Sequence, residues 1–127
     1  MGDPVKKKVG DLNSIREDGS VEVWVWTLTS ADPTGTPVPW PEYADRTVTM
    51  TGTWGTATGA LQYSNDNAAY LTCSNAAGGT ALSGKTADFG AAIIEDGLFF
   101  RPTLTTPGAG ATLTVTLVMR RANPMRT

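Results

Sequence analysis

Apolar and polar residues alternate with a period of two along most of the chain between residues 47 and 121. The clearest run is 112–120, in which one set of alternate positions is apolar: Leu113, Val115, Leu117 and Met119. Successive side chains of a strand point to opposite faces of its sheet, so this spacing predicts one buried and one hydrated face. Threonine suits the hydrated face because its β-branch fits the pleat and its hydroxyl stays in water.

The same period, interrupted by turn residues, predicts seven or eight short strands. We expect strands at these positions: Val21–Thr29, 46–54, 61–63, 70–74, 98–104 and 112–120, with weaker signals at 11–15, 80–82 and 89–96. Residues 64–67 bond readily to their own backbone and predict a hairpin turn between 61–63 and 70–74. Pro102 places its strand at a sheet edge, because proline donates no ladder hydrogen bond.

This pattern is typical of an all-β protein: an antiparallel β-sandwich, jelly-roll or Ig-like, or a small barrel. The 127 residues fit one domain that buries roughly 65% of its unfolded surface. We expect residues 1–20 to form an extended N-terminal arm, 21–121 the β-sandwich domain and 122–127 a C-terminal tail. The segment 33–41 holds four prolines, which favours a stiff loop.

Charge is distributed unevenly, although the net charge is only −2. Residues 21–100 carry two basic and eight acidic side chains, while 101–127 carry four arginines and no acidic side chain. This basic end either pairs with an acidic neighbouring subunit or lies in solvent. The small net charge argues against a specific nucleic-acid partner. No apolar run reaches membrane-spanning length and no signal-peptide core is present, so we expect a soluble protein without a membrane partner.

Little in the chain points to catalysis. Histidine is absent, which excludes a Ser-His-Asp triad and the usual zinc sites. A plain turn at 64–67 is favoured over a calcium site, because the full set of oxygen ligands is missing. Cys73, the single cysteine, is expected to be a small buried residue and not a reactive thiol. We therefore expect no enzyme, no catalytic residue, no metal and no cofactor.

The four tryptophans are the best candidates for binding, since aromatic residues contribute much of the energy of interfaces and also of cores. Both faces of Val21–Thr29 are largely apolar toward the middle, so this strand is either buried on both sides or presents its tryptophans to a partner, and we expect Trp26 among the partner contacts. We expect Trp24 or Trp54 in the core. Trp40 lies among prolines, and we expect its side chain to be exposed. It would then contact a protein partner or serve as a platform for a sugar.

Several short segments together resemble a family of small β-sandwich structural proteins of tailed bacteriophages. They follow in order: Pro41-Glu42-Tyr43-Ala44-Asp45-Arg46-Thr47-Val48, Gly52-Thr53-Trp54-Gly55, Leu61-Gln62-Tyr63-Ser64-Asn65-Asp66, Phe100-Arg101-Pro102 and Leu113-Thr114-Val115-Thr116-Leu117 with Arg120-Arg121. In that family a glycine tends to close the Ser-Asn-Asp turn, where this chain has Asn67. The resemblance implies a capsid decoration (cement) protein on the virion surface, assembled in the host cytoplasm.

The partners implied are the major capsid protein and copies of the chain itself, in a symmetric oligomer such as a trimer. We expect the contacts at the arm, two tryptophans and the basic end: Lys6, Lys7, Lys8, Leu12, Ile15, Trp26, Trp40, Arg120, Arg121 and Arg126. One alternative is a tail, neck or head-completion protein. Another, of a different class, is a carbohydrate-binding module for host adsorption.

Overall fold

The structure, a computed structural model, describes residues 4–6, 21–39, 43–95 and 97–121. These residues form nine β-strands and no helix. The strands, in chain order, are β1 (Val5–Lys6), β2 (Val21–Thr29), β3 (Val38–Pro39), β4 (Tyr43–Thr53), β5 (Thr58–Ser64), β6 (Leu71–Thr72), β7 (Phe89–Ala92), β8 (Phe99–Thr105) and β9 (Thr112–Arg121). The described chain therefore also holds no helix that could cross a membrane.

Two antiparallel sheets pack against each other as a sandwich and do not close into a barrel. The five-stranded sheet has the order β1-β2-β9-β4-β7, and the four-stranded sheet has the order β3-β8-β5-β6. The predicted all-β sandwich is confirmed. The arm contributes to it through β1, which pairs with the middle of β2 at Val5↔Val25 and Lys6↔Trp24.

The strand order is that of a jelly roll. Pairing is nested: β2 pairs with β9, β3 with β8, β4 with β7, and β5 with β6. A chain paired in this way is one long hairpin wrapped around a core, so most consecutive strands fall in different sheets. The sequence left open a jelly-roll or an Ig-like sandwich, and this strand order identifies the jelly roll.

The core fills the space between the sheets, and the two-residue period decides which side chains reach it. On β9, Leu113, Val115, Leu117 and Met119 are fully buried, as predicted. They meet Leu28 of β2, Met50 of β4 and Phe100 of β8 in one cluster. On the outer face of the same sheet, threonines stand side by side in rows: Thr27, Thr114 and Thr51, then Thr29, Thr112 and Thr53.

One predicted position is wrong. The strand containing Pro102 does not lie at a sheet edge, because β8 sits between β3 and β5. Leu61, opposite Pro102 on β5, accepts the N–H of Cys73 at its carbonyl oxygen at 2.9 Å, so it needs no donor from the proline. On its other side Pro102 accepts from the Gly35 N–H at 2.9 Å, beside residues that form only an isolated bridge to β8. The proline therefore costs no ladder hydrogen bond.

The other predicted elements differ mainly in length. Val21–Thr29 forms with the predicted bounds, and the predicted hairpin is present because β5 pairs with β6. Residues 80–82 contribute only an isolated bridge, between Ser74 and Ala81. The strand predicted within 89–96 ends at Ala92. The weak strand predicted at 11–15 lies outside the described residues.

Gly52 allows β4 to approach β9 closely. Its φ is +139°, and a Cβ there would lie 2.3 Å from the carbonyl oxygen of Thr112. Glycine permits this close backbone approach because it has no Cβ, and β4 continues through it to Thr53.

Candidate functional site

Trp26, one of the predicted partner contacts, lies in the core. Its side chain has no exposed surface, and its Nε1 donates a hydrogen bond to the Thr36 carbonyl oxygen at 2.9 Å. Gly35 lies against the indole, where a Cβ would come within 2.6 Å of Cδ1. The predicted contact at Trp26 is therefore corrected to a core role. The period alone did not reveal this, because both faces of β2 are largely apolar.

Of the other predicted contacts, Arg120 is exposed near the end of β9, opposite Val21 of β2 and Asp45 of β4. The backbone of Arg121 pairs with Tyr43, and that of Lys6 pairs with Trp24. The structure thus puts these three positions on the five-stranded sheet. The remaining predicted contacts lie outside the described residues: Lys7, Lys8, Leu12, Ile15, Trp40 and Arg126.

Trp54 confirms the prediction of a further core tryptophan. It is 8% exposed, and its Nε1 donates to Oδ1 of Asp88 at 2.8 Å. The same carboxylate oxygen accepts the backbone N–H of Gly52 at 3.1 Å. Trp24 is half-buried and packs against the edge of the core.

Cys73 is a buried residue, as predicted. Burial raises the pKa of its thiol far above the usual range, and the nearby Glu95 carboxylate raises it further. A thiol held protonated in this way is a poor nucleophile, because the thiolate is the reactive form.

The turn predicted at 64–67 is present and is organised by one carboxylate. Oδ1 of Asp66 accepts hydrogen bonds from the Ser64 hydroxyl and from the backbone N–H groups of Ala68 and Ala69, each at 2.9 Å. The two backbone bonds and then the Ser64 hydroxyl lower the pKa of Asp66 below its ordinary value of 3.8. Asn67 adopts a φ of +59°, which asparagine tolerates better than most residues. Within the described residues, no group of three or more acidic or cysteine side chains could hold a metal ion.

A buried arginine ties β4 to the loop that leads to β8. Arg46 is only 4% exposed and donates through Nη2 to the carbonyl oxygen of Glu95. Its guanidinium carbon lies 5.1 Å from the ring centroid of Phe100, and the Glu95 carboxylate accepts the Ser74 N–H at 2.7 Å. We assign Arg46 and Glu95 a structural role, because their polar groups are engaged within the fold.

The strongest candidate for binding lies on the outer face of the four-stranded sheet, and the sequence analysis missed it. We call it the Tyr70 cluster: Gln62, Asn67, Tyr70 and Arg101. The guanidinium carbon of Arg101 lies 3.8 Å from the Tyr70 ring centroid, and Arg101 Nε donates to Oε1 of Gln62 at 2.9 Å. The Tyr70 hydroxyl donates to Oδ1 of Asn67. Gln62 and Arg101 are direct partners across β5 and β8, which is why they meet.

Four large apolar side chains on the described surface are exposed, namely Val5, Leu71, Ile94 and Leu98. Val5, on the edge strand β1, is 65% exposed. Leu71, directly after Tyr70, is 61% exposed, and Leu98, whose N–H bonds to the Ser64 carbonyl, is 42% exposed. Isolated exposed apolar side chains are ordinary on protein surfaces. Their exposure alone therefore does not identify a binding site.

Comparison of the chain with protein-family models, with curated protein sequences and with solved structures gives no match. The fold and the Tyr70 cluster together define an antiparallel jelly-roll sandwich that carries a stacked arginine and tyrosine on one outer face.

Proposed function

We propose that this protein is a virion structural protein of a tailed bacteriophage, which decorates and stabilises the capsid. The observation that carries the proposal is the nested pairing of the eight strands from β2 through β9. Two-sheet jelly rolls recur in viral capsid domains and in lectins. Architecture alone does not determine function, so the proposal also draws on the phage-like segments of the sequence.

The shape of the molecule supports this role. A decoration protein needs a rigid body, and this sandwich is filled by one continuous core that includes Trp26, Trp54 and Phe100. It also needs contact positions at the periphery. Val5 on the edge strand β1 and Arg120 near the end of β9 are both exposed, and both belong to the five-stranded sheet.

The proposed partners are the major capsid protein and further copies of this chain, in an oligomer such as a trimer. A contact of few residues binds weakly by itself, but several contacts held by one oligomer raise the overall affinity through their effective concentration. We expect the N-terminal arm to contribute to these contacts.

The proposal is tested by adding the purified protein to expanded capsids from which it has been stripped. We expect saturable binding by the full-length chain and impaired binding by a variant that lacks residues 1–20. A second variant, with Lys6, Lys7 and Lys8 all changed to Gln, keeps the length of the arm and isolates its charge. Thermal unfolding of each variant shows whether the sandwich remains folded. Full binding by the folded truncated variant would disprove the role of the arm, and no binding by the full-length chain would contradict decoration.

A tail, neck or head-completion role is the nearest alternative. Such proteins occupy one unique vertex or the tail, whereas a decoration protein repeats over the whole shell. Immunogold labelling of intact virions distinguishes them, because decoration predicts label spread over the head. Label confined to the neck or tail would favour the alternative.

A further inference from the structure

The Tyr70 cluster has a chemical character that capsid decoration does not require. We propose that it is a binding site for a saccharide that carries a carboxylate group, such as a sialic or uronic acid. Arg101 would bind the carboxylate, Tyr70 would hold the guanidinium in place, and the amide of Gln62 would meet sugar hydroxyls.

Arg101 is positioned before any ligand arrives. Its Nε is engaged by Gln62 at 2.9 Å, and its guanidinium carbon is fixed 3.8 Å from the Tyr70 ring centroid. In the described part of the chain, neither terminal nitrogen of this guanidinium has a hydrogen-bond acceptor. A side chain already restrained at both its Nε and its planar face loses less entropy on binding than a mobile one.

The groups around Arg101 are rich in donors. The terminal nitrogens of Arg101 carry four N–H groups, and the amide nitrogen of Gln62 carries two more. Asn67 accepts the Tyr70 hydroxyl through Oδ1, which leaves its own amide nitrogen as a donor. Such a surface fits a ligand rich in acceptors, and a carboxylate pairs with the two terminal nitrogens of an arginine through parallel hydrogen bonds.

Asp66, the carboxylate that acts on Tyr70, does not fill this place. Asp66 lies close enough to influence the pKa of Tyr70, but its Oδ1 is engaged by Ser64, Ala68 and Ala69. Those donors hold its charge within the turn. The pKa of Tyr70 itself is raised, first by burial, so its hydroxyl stays protonated and keeps donating to Asn67.

A saccharide fits this surface better than an acidic peptide. A peptide that adds to a sheet edge needs a run of backbone to pair with, and the edge strand here, β6, is only two residues long. A sugar needs no backbone to pair with, only donors that meet its carboxylate and its hydroxyls. Arg101 and Gln62 supply these donors side by side on the outer face of the sheet.

The test is a calorimetric titration of the whole protein with sialyllactose and with digalacturonate, and with lactose as the uncharged counterpart of the first. We expect saturable binding of at least one acidic saccharide and much weaker binding of lactose. Binding of neither acidic saccharide would overturn the proposal. Equally tight binding of a tetra-aspartate peptide would also overturn it, since the site would then recognise acidic peptides.

Matched variants locate the site. We expect Arg101→Gln to weaken binding by about tenfold or more, the loss of a charge-assisted pair. Lys85→Gln removes the same charge elsewhere, beside Phe89, and should leave the affinity unchanged. Tyr70→Phe keeps the ring that supports Arg101 and should bind better than Tyr70→Ala. Equal losses of affinity in Arg101→Gln and Lys85→Gln would show that only the overall charge matters, and this would contradict a binding site at Arg101.

Thermal unfolding shows whether each variant is folded. If Arg101→Gln does not fold, Arg101→Lys serves instead, because it keeps the charge but cannot form the paired contact. Unchanged affinity in folded Arg101→Lys would likewise contradict the proposal. The outcome is independent of capsid binding, which is measured without any sugar, so each proposal can fail alone.

Discussion

The Trp54 indole nitrogen donates a hydrogen bond to Oδ1 of Asp88 at 2.8 Å, and this bond joins the end of β4 to the residue before β7. The same oxygen accepts the N–H of Gly52 at 3.1 Å. One side chain thus holds both the core tryptophan and the backbone at the point where β4 approaches β9 most closely.

Asp88→Ala should destabilise the protein by about 1–2 kcal/mol, because the mostly buried Trp54 N–H loses its acceptor. Asp88→Asn keeps an oxygen in the same place and should cost less. Urea unfolding monitored by tryptophan fluorescence measures both free energies. Equal stability of Asp88→Ala and the parent protein would show that water replaces this contact without cost.

Gly52→Ala should be strongly destabilising. The added Cβ would lie 2.3 Å from the Thr112 carbonyl oxygen, and the φ of +139° is strained for any side chain. Gly55→Ala is the matched control, since Gly55 also has a positive φ (+58°) but nothing lies within 4 Å of a Cβ there.

We expect Gly55→Ala to cost about 1 kcal/mol and Gly52→Ala at least 2 kcal/mol more. Thermal unfolding of the two variants and the parent gives the comparison. Similar losses at the two positions would mean that β4 shifts away from β9 to relieve the contact.

These packing details separate what the sequence could predict from what it could not. The period of two in 112–120 was enough to assign the buried side of β9, because every inward residue of that strand meets the same core. The order of the strands depends on pairs far apart in the chain, such as β2 with β9, and the local pattern does not contain it. Trp26 was misassigned because both faces of β2 are largely apolar.

The contacts within the Tyr70 cluster also could not be predicted from the local sequence pattern. Arg101 and Gln62 become neighbours only through the register of β5 and β8. Tyr70 joins them only after the turn at 64–67 returns the chain. The one available signal was that an arginine and a glutamine interrupt outward positions of two predicted strands. That signal indicates a polar face, but not which side chains touch.

Cys73 predicts a dependence of stability on alkaline pH. An ordinary thiol titrates near pH 8.5, about where the unfolded chain should release this proton. Burial raises the pKa of Cys73 in the folded state, so the folded protein keeps the proton. The stabilisation is complete below the pKa of the unfolded chain and decreases as the pH rises above it.

Above that point the thiol should lower the free energy of unfolding by up to about 1.4 kcal/mol per pH unit. Cys73→Ala should show a flatter profile than the parent in urea unfolding between neutral and alkaline pH. A thiol reagent should label Cys73 only when the protein is unfolded. Identical profiles for parent and variant, or rapid labelling of the folded protein, would contradict the buried, protonated thiol.

We propose above all that this jelly roll decorates the capsid of a phage head. Quantitative mass spectrometry of purified heads and purified tails from one virion preparation tests it most directly. The account predicts that the protein occurs in heads, in an amount that scales with the major capsid protein. Its absence from mature particles, or its recovery with tails alone, would contradict the account.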